Sequence, residues 1–215
     1  MRVAVLGAGG LCKVMLDALC SRTEHRVVGL LDDHVTGSFC GLPILGKMSS
    51  LRTLRSKNIR GVALAVGDRF LPVRLQLIEA IRVSGLQAVN AVHRTAWISP
   101  SATLGDGIYA GPNVTIHAGA SISDFCVIWT GSIIEHDNRI GENVFIAPSV
   151  TTAGYTEVER DVFIGIGAVV LRAKIGALAT VAAGSLVTKD VAARTLVMGS
   201  PAKRIRTKRE LTYHG

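Results

Sequence analysis

"CVIWTGSIIEHDNRIGENVFIA", residues 126–147, decides the fold. Its large aliphatics fall at Ile128, Ile134, Ile140 and Ile146, six residues apart. Upstream the same step passes through Ile98, Leu104, Ala110, Ile116 and Ile122; downstream it passes through Thr152, Val158, Ile164 and Val170. Eleven of these thirteen residues are Ile, Leu or Val, where ordinary composition gives about a quarter to a third. The following position is often small, as at Ser99, Gly105, Gly111, Ser123, Gly141 and Gly165. The fifth is small or β-branched, as at Ala102, Val114, Ala120, Ser132, Val144 and Val162. After Val170 the phase slips by one residue and resumes at Ile175, Val181 and Val187.

Each six-residue unit reads as a short strand and a corner. The aliphatic points inward and stacks on its counterparts above and below, while small residues let the chain turn. Three sides close a coil of about eighteen residues, a parallel β-helix of hexapeptide type. About five such coils fit between residues 98 and 190. An ordinary β-sandwich predicts alternation broken at irregular intervals instead. A triangular prism has flat sides and little interior room, so ligands bind on its surface or between copies. Closed threefold assembly is its natural packing and makes three equivalent clefts.

Before the prism the pattern is that of a small α/β unit. "RVAVLGAGG" reads as a buried strand entering a glycine turn, and "LCKVMLDALCSR" has helical spacing. "HRVVGLLDD" and "GVALAVGD" read as further strands, "FLPVRLQLIEAIRVSG" as a helix, and "LQAVNAVH" as a closing strand. Gly7 and Gly9 begin a GxGxxG run, but Cys12 occupies the third glycine position. The mechanism still holds: glycines let backbone N–H groups at a helix start approach a phosphate. Asp32 and Asp33 follow the second strand, where an acidic residue meets a ribose. About ninety residues precede the prism, which suits a single nucleotide better than NAD. The domain boundaries expected are therefore 1–93 for the α/β unit, 94–198 for the prism and 199–215 for a basic C-terminal tail.

The composition fits a regular, strand-rich core: 48% hydrophobic residues but only 5% aromatic. The net charge is +8, and part of the excess lies at Lys203, Arg204, Arg206, Lys208 and Arg209. No basic run interleaved with aromatics appears, so nucleic acid is not the expected partner. Cys12, Cys20, Cys40 and Cys126 show no metal-finger spacing and read as reduced and mostly buried, in a cytoplasmic protein. No metal is expected. "MRVAVLGAGG" has too short an apolar run for a signal peptide or a membrane span.

"IIEHDNRIG", residues 133–141, places Glu135, His136 and Asp137 between apolar pairs. Ile134 and Ile140 take the inward positions, so the three ionisable residues lie on the outward run toward a corner. Imidazole is the obvious general base near neutral pH, and an adjacent carboxylate sets its tautomer. Acyl transfer from a thioester needs such a base, a nucleophile and donors for the developing oxyanion. Cys126 occupies a small buried slot and reads as structural. His117 reads as an outward coil-face residue and His93 as a junction residue, while His25, His34 and His214 read as surface residues.

In the order "GAGGLCKVMLD", "LLDD", "AVGD", "NAVHRTAWISPSA", "IIEHD" and "MGSPAKRI", the chain resembles the sialic-acid O-acetyltransferase-like family. That family includes the bacterial nucleotide-sugar N-acetyltransferases of bacillosamine and perosamine synthesis. The resemblance implies a homotrimer with an N-terminal βαβ (Rossmann-like) domain for the nucleotide-sugar. A left-handed parallel β-helix then binds acetyl-CoA between subunits. It implies His136 as general base with Asp137 orienting it. It places Gly7, Gly9, Gly10, Lys13, Asp32, Asp33, Gly67, Asp68 and Trp129 on the nucleotide-sugar. It places Phe145, Gly154, Ile166, Ala183 and Lys203 on the cofactor. Three positions depart from the family pattern: Leu11 and Phe145 where histidines are common, and Trp129 where asparagine is common. The alternatives are therefore sugar O-acetylation and a catalytically lapsed nucleotide-sugar-binding trimer.

Overall fold

The computed structural model describes residues 1–21, 24–68 and 71–207, so Phe70, Lys208, Arg209 and His214 lie outside the described residues. The chain divides into two compact units, Met1–Arg94 and Thr95–Gly215.

In the first unit β1 (Arg2–Leu6), α1 (Gly10–Cys20), β2 (Arg26–Leu31), β3 (Ser38–Phe39), β4 (Leu42–Gly46), β5 (Gly61–Leu64), α2 (Leu71–Ser84) and β6 (Gln87–Ala88) follow in order. The sheet order is β3-β4-β2-β1-β5-β6, parallel except for the β3–β4 hairpin. β1 sits at the centre because Val3 to Leu6 are fully buried, as a strand covered on both faces requires. The hairpin and a 3₁₀ run over Met48–Lys57 occupy the stretch where the sequence has no clear period. α2 buries Leu71, Leu77, Ile78 and Ile81, and on the same stripe Arg74. The Arg74 guanidinium is wholly buried and Nη1 donates to the carbonyl oxygens of Val66 (2.6 Å) and Leu64 (3.4 Å). It ties α2 to the loop that follows β5.

The second unit is the hexapeptide prism. One side stacks Trp97–Ile98, Thr115–Ile116, Ile133–Ile134, Thr151–Thr152, Val169–Val170 and Leu186–Val187 in parallel. A second stacks Thr103–Leu104, Ser121–Ile122, Arg139–Ile140, Glu157–Val158 and Lys174–Ile175. The third runs through Tyr109–Ala110, Val127–Ile128, Phe145–Ile146, Phe163–Ile164 and Thr180–Val181. In nearly every pair the second residue is inward and buried. The phase slip appears as the step of five from Val170 to Ile175. This is the left-handed β-helix that the sequence implies.

Each corner has its own column of left-handed (αL) backbone. Asn113, Gly131, Ser149, Gly167 and Gly184 form one; Gly107, Phe125, Asn143, Asp161, Leu178 and Arg194 another; Gly119, Asp137, Tyr155 and Arg172 the third, all with φ between 43° and 72°. Gly, Asn and Asp tolerate this conformation best, which explains why they recur at the corners. In the basic tail, Lys203–Thr207 is a strand, paired antiparallel to Thr195–Met198 at the end of the third side. Lys203, Arg204 and Arg206 are therefore held on a sheet edge.

The in/out register can be tested on neighbouring residues of one strand. Ile122 is buried at 1% exposure and Ser121 is exposed. Ile122→Ala is expected to cost about 3 kcal/mol, and Ser121→Ala less than about 0.5 kcal/mol, by denaturant unfolding. Equal costs would mean that the inward stack does not carry the prism's stability.

Candidate active site

Glu135, His136 and Asp137 leave the first side of the prism at Ile134 and turn the corner toward Arg139. They face outward: the side chains of His136 and Asp137 are 50% and 47% exposed. Asp137 takes the αL position, with φ 57°, and its N–H donates to Ala118 O one coil below. Its Oδ2 lies 2.9 Å from His136 Nδ1. A carboxylate only accepts, so this pairing puts the proton on Nδ1 and leaves Nε2 as the free acceptor.

Two glycines make room for the pair. A Cβ on Gly119, one coil below, would stand 2.6 Å from Asp137 Oδ1. A Cβ on Gly154, one coil above, would stand 2.5 Å from both Cε1 and Nε2 of His136. Inside the corner the prism departs from its aliphatic rule. Thr152 takes an inward position and its Oγ1 accepts from Glu135 N–H (3.3 Å). Asn138 is fully buried, and its Nδ2 donates to Ala153 O (2.9 Å) and His136 O (3.3 Å). Tyr155 N–H also donates to His136 O (3.1 Å). The backbone under the imidazole is thus held from inside. Asn138 and Thr152 break the apolar pattern in the sequence, and that break is the available signal for them.

Next to this pair, His117 Nε2 lies 3.7 Å from Glu135 Oε1, and the His117 ring packs on Trp97 with centroids 5.4 Å apart. His117 is outward, as its slot in the repeat predicts. Trp129 is half-buried, edge-on to Tyr109 at 5.8 Å. Phe145 is only 4% exposed, which leaves its ring almost no surface for a cofactor. Gly154 lies in the His136 slot. Ile166 (59% exposed) and Ala183 stand at the preceding corner, between the third and first sides. Within one chain the structure therefore does not bring Ile166 and Ala183 to the corner of His136. Lys203 is exposed on the terminal strand.

In the first unit, Gly7, Gly9, Gly10, Asp32, Asp33, Gly67 and Asp68 gather at the carboxyl ends of β1, β2 and β5, which are neighbours in the sheet. This is the crevice where open α/β sheets take ligands. Gly7 has φ +100° and packs against Ala65 O. Gly9 and Gly10 have open space above them, at the start of α1. Burial pushes the Asp32 carboxyl up, but the N–H groups of Val35, His34 and Ala8 outweigh it and hold it below the usual carboxylate range. Asp32 thus ties the glycine turn to the end of β2. Asp33 Oδ1 accepts from Met48 N–H (2.9 Å). Lys13 lies over the Phe39 ring at 5.8 Å and lines a cleft of about 600 Å³ with Leu16, Asp17, Cys20, Arg26 and Cys40.

The expectation of mostly buried cysteines is half wrong. All four are free, but Cys20 and Cys40 are exposed. Cys20 ends α1 outside the stripe that the helix buries, and Cys40 sits in the β3–β4 turn with φ 49°. Cys12 is buried, and that burial pushes its thiol up to about 12.

A prism of hexapeptide coils with an outward His–Asp pair, joined to an α/β unit with an open glycine turn, defines a hexapeptide-repeat acyltransferase. Comparison with known proteins narrows the class. Residues 2–81 match the PglD N-terminal domain. Over 141 residues the chain is 30% identical to a GDP-perosamine N-acetyltransferase of Escherichia coli O157:H7, covering 65% of this chain and 62% of that protein. PerB from Caulobacter crescentus, solved with CoA and GDP-perosamine, matches with a TM-score of 0.89 and 33% identity, covering 96% of this chain and 98% of that one. The acetyltransferase domain of PglB from Neisseria gonorrhoeae, solved with acetyl coenzyme A, matches with a TM-score of 0.88 and 29% identity, covering 95% and 98%. The chain belongs to the nucleotide-sugar acetyltransferases of the hexapeptide-repeat family.

Two measurements probe these sites. Gly154→Ala meets the imidazole while its own backbone stays ordinary. It is expected to lower kcat about a hundredfold through misplacement with little change in Tm; an unchanged kcat would mean that the imidazole's position is not critical. Asp32 has a lowered pKa in the folded state, so its contribution to stability is present above the unfolded carboxylate pKa. That contribution is lost as pH falls through the folded value. Asp32→Asn is therefore expected to destabilise at pH 7, with the gap to wild type narrowing below about pH 4. A constant gap in unfolding midpoint would exclude the charge as its source.

Proposed function

We propose that this protein transfers the acetyl group of acetyl-CoA to the amino group of a nucleotide-linked amino sugar, for bacterial surface glycan or glycoprotein sugar synthesis. The observation that carries the reading is the outward His136, tied at Nδ1 to Asp137 with Nε2 free. The names of the relatives, a GDP-perosamine N-acetyltransferase and PerB with CoA and GDP-perosamine, support it.

His136 Nε2 takes the proton from the sugar amine as its nitrogen bonds to the thioester carbonyl carbon. Asp137 stabilises the imidazolium that results, and the departing CoA sulfur recovers the proton. In the first unit the free N–H groups around Gly9 and Gly10 suit a phosphate, and the second carboxylate oxygen of Asp33 suits a sugar or ribose hydroxyl. The residues at the prism surface fit a CoA arm. Ile166 and Ala183 offer exposed apolar and backbone surface, and Lys203 offers a cation for a phosphate.

Because Ile166 and Ala183 sit at a different corner from His136, the reading requires a second copy to complete the cleft. A homotrimer with the corner of one prism against the next supplies it. Exposed Trp97, Ile166 and Leu171 along that side support such an assembly. Acetyl-CoA as donor and four free cysteines support a cytoplasmic setting.

With acetyl-CoA and GDP-perosamine, His136→Ala is expected to lower kcat by at least about a hundredfold while leaving the KM for acetyl-CoA within twofold. The product should be an amide that survives mild base, whereas an O-acetyl ester would be lost. Full activity in the variant would remove His136 from the mechanism.

A further inference from the structure

The His136–Asp137 pair is half-exposed, and a polar pair so open to water holds its geometry weakly. Something else must keep the imidazole at one angle. Tyr155 stands beside it. Its ring meets the imidazole edge-on, with centroids 5.2 Å apart and an interplanar angle of 89°. The Arg172 guanidinium lies over the tyrosine ring, 5.0 Å from the centroid. Gly154 closes the remaining side, since no Cβ fits between it and the ring.

Tyr155 holds this place against its own backbone preference. It occupies the corner column of αL positions that Gly119 and Asp137 fill on the coils below, with φ 62°. Arg172 occupies the next slot, with φ 43°. Of the other bulky αL residues, Phe125 is buried at 3% and packing accounts for it, while Leu178 is half-buried and Arg194 exposed. Tyr155 is 54% exposed, and its ring touches His136 and Arg172 rather than the core. What sets Tyr155 apart in this strained conformation is the pair of ring contacts it makes outside the core, with His136 and Arg172.

We infer that Tyr155, braced by Arg172, is a positioning residue that fixes the His136 imidazole for proton transfer. The inference rests on His136 being the base. Arg172 acts only through the tyrosine ring, and the tyrosine acts by its ring face and edge rather than by its hydroxyl. Tyr155→Gly is the telling variant because glycine suits this backbone conformation better.

The full-length protein is assayed with acetyl-CoA and GDP-perosamine, and its imidazoles are followed by NMR of ¹³Cε1-labelled histidine. The His136 signal is assigned by its loss in His136→Gln. Tyr155→Gly is expected to keep or raise Tm, to lower kcat about tenfold with both KM values within twofold, and to move the His136 signal toward its position in a free peptide. Tyr155→Phe should restore all three. Arg172→Ala should lower kcat a few-fold, and adding it to Tyr155→Gly should lower kcat no further. An unmoved His136 signal in Tyr155→Gly overturns the inference whatever the turnover; so does an additive Arg172 effect. A moved signal with His136→Gln as active as wild type instead overturns the role of His136 as base and leaves the tyrosine contact standing.

Discussion

The inward stack of aliphatic side chains sets the geometry of everything else in the prism. Strands in a sheet lie about 4.8 Å apart, so each coil must return to the same inward position after one circuit. Ile98, Ile116 and Ile134 do so at intervals of eighteen residues, and Val170 and Val187 at seventeen. That register also fixes which outward residues meet. Asp137 lies over Gly119, His136 under Gly154, and Tyr155 under Arg172. No local propensity of "EHD" brings these together. The core does, by stacking corners whose sequences are far apart.

The six-residue step is legible because it is a period, and a period needs no knowledge of what lies opposite. The same reading places Glu135, His136 and Asp137 outward, where they stand. What the period does not reveal is vertical pairing. Gly154 reads as a glycine beside a cofactor, but its missing Cβ is what admits the imidazole. Tyr155 has no signal of its own, because an exposed tyrosine at a corner is ordinary until the coil below is known to carry histidine. In the first unit, the strands of apolar runs and the helices of apolar stripes are readable. Arg74 is not, because an arginine on an apolar stripe reads as a snorkelling surface residue until two backbone carbonyls are found waiting for it. Phe145 misleads for a related reason: outward on the strand does not mean exposed, and it is 4% accessible.

The two units of the chain solve the same problem differently. In the first unit a charged group is anchored by backbone donors, and Asp32 keeps its proton off because Val35, His34 and Ala8 point at it. At the prism corner the His136–Asp137 pair meets water on one side, and its own attraction is too weak to define an angle. Shape does that work instead. Gly119 and Gly154 remove the atoms that would block the two side chains, and Asn138 and Tyr155 hold the carbonyl of His136 from either side.

Buried polar residues occur at several corners of the prism, among them Ser132, Asn143 and Ser185, and Asn138 and Thr152 are the pair beneath this one. A buried hydroxyl or amide is costly unless bonded, and an all-aliphatic interior would be the simpler solution. Thr152 and Asn138 interrupt it on adjacent coils; Thr152 Oγ1 and Asn138 Nδ2 bond the backbone of Glu135, His136 and Ala153, while Asn138 Oδ1 is left without a partner among the described residues. A corner carrying three ionisable residues exposes its carbonyls and amides to competition from those same side chains; His136 N–H already lies 3.3 Å from Glu135 Oε2. Internal donors and acceptors keep the backbone fixed while the side chains outside it stay in contact with water. The rigidity of the His136 backbone is thus built into the core beneath it, and its imidazole is left facing outward.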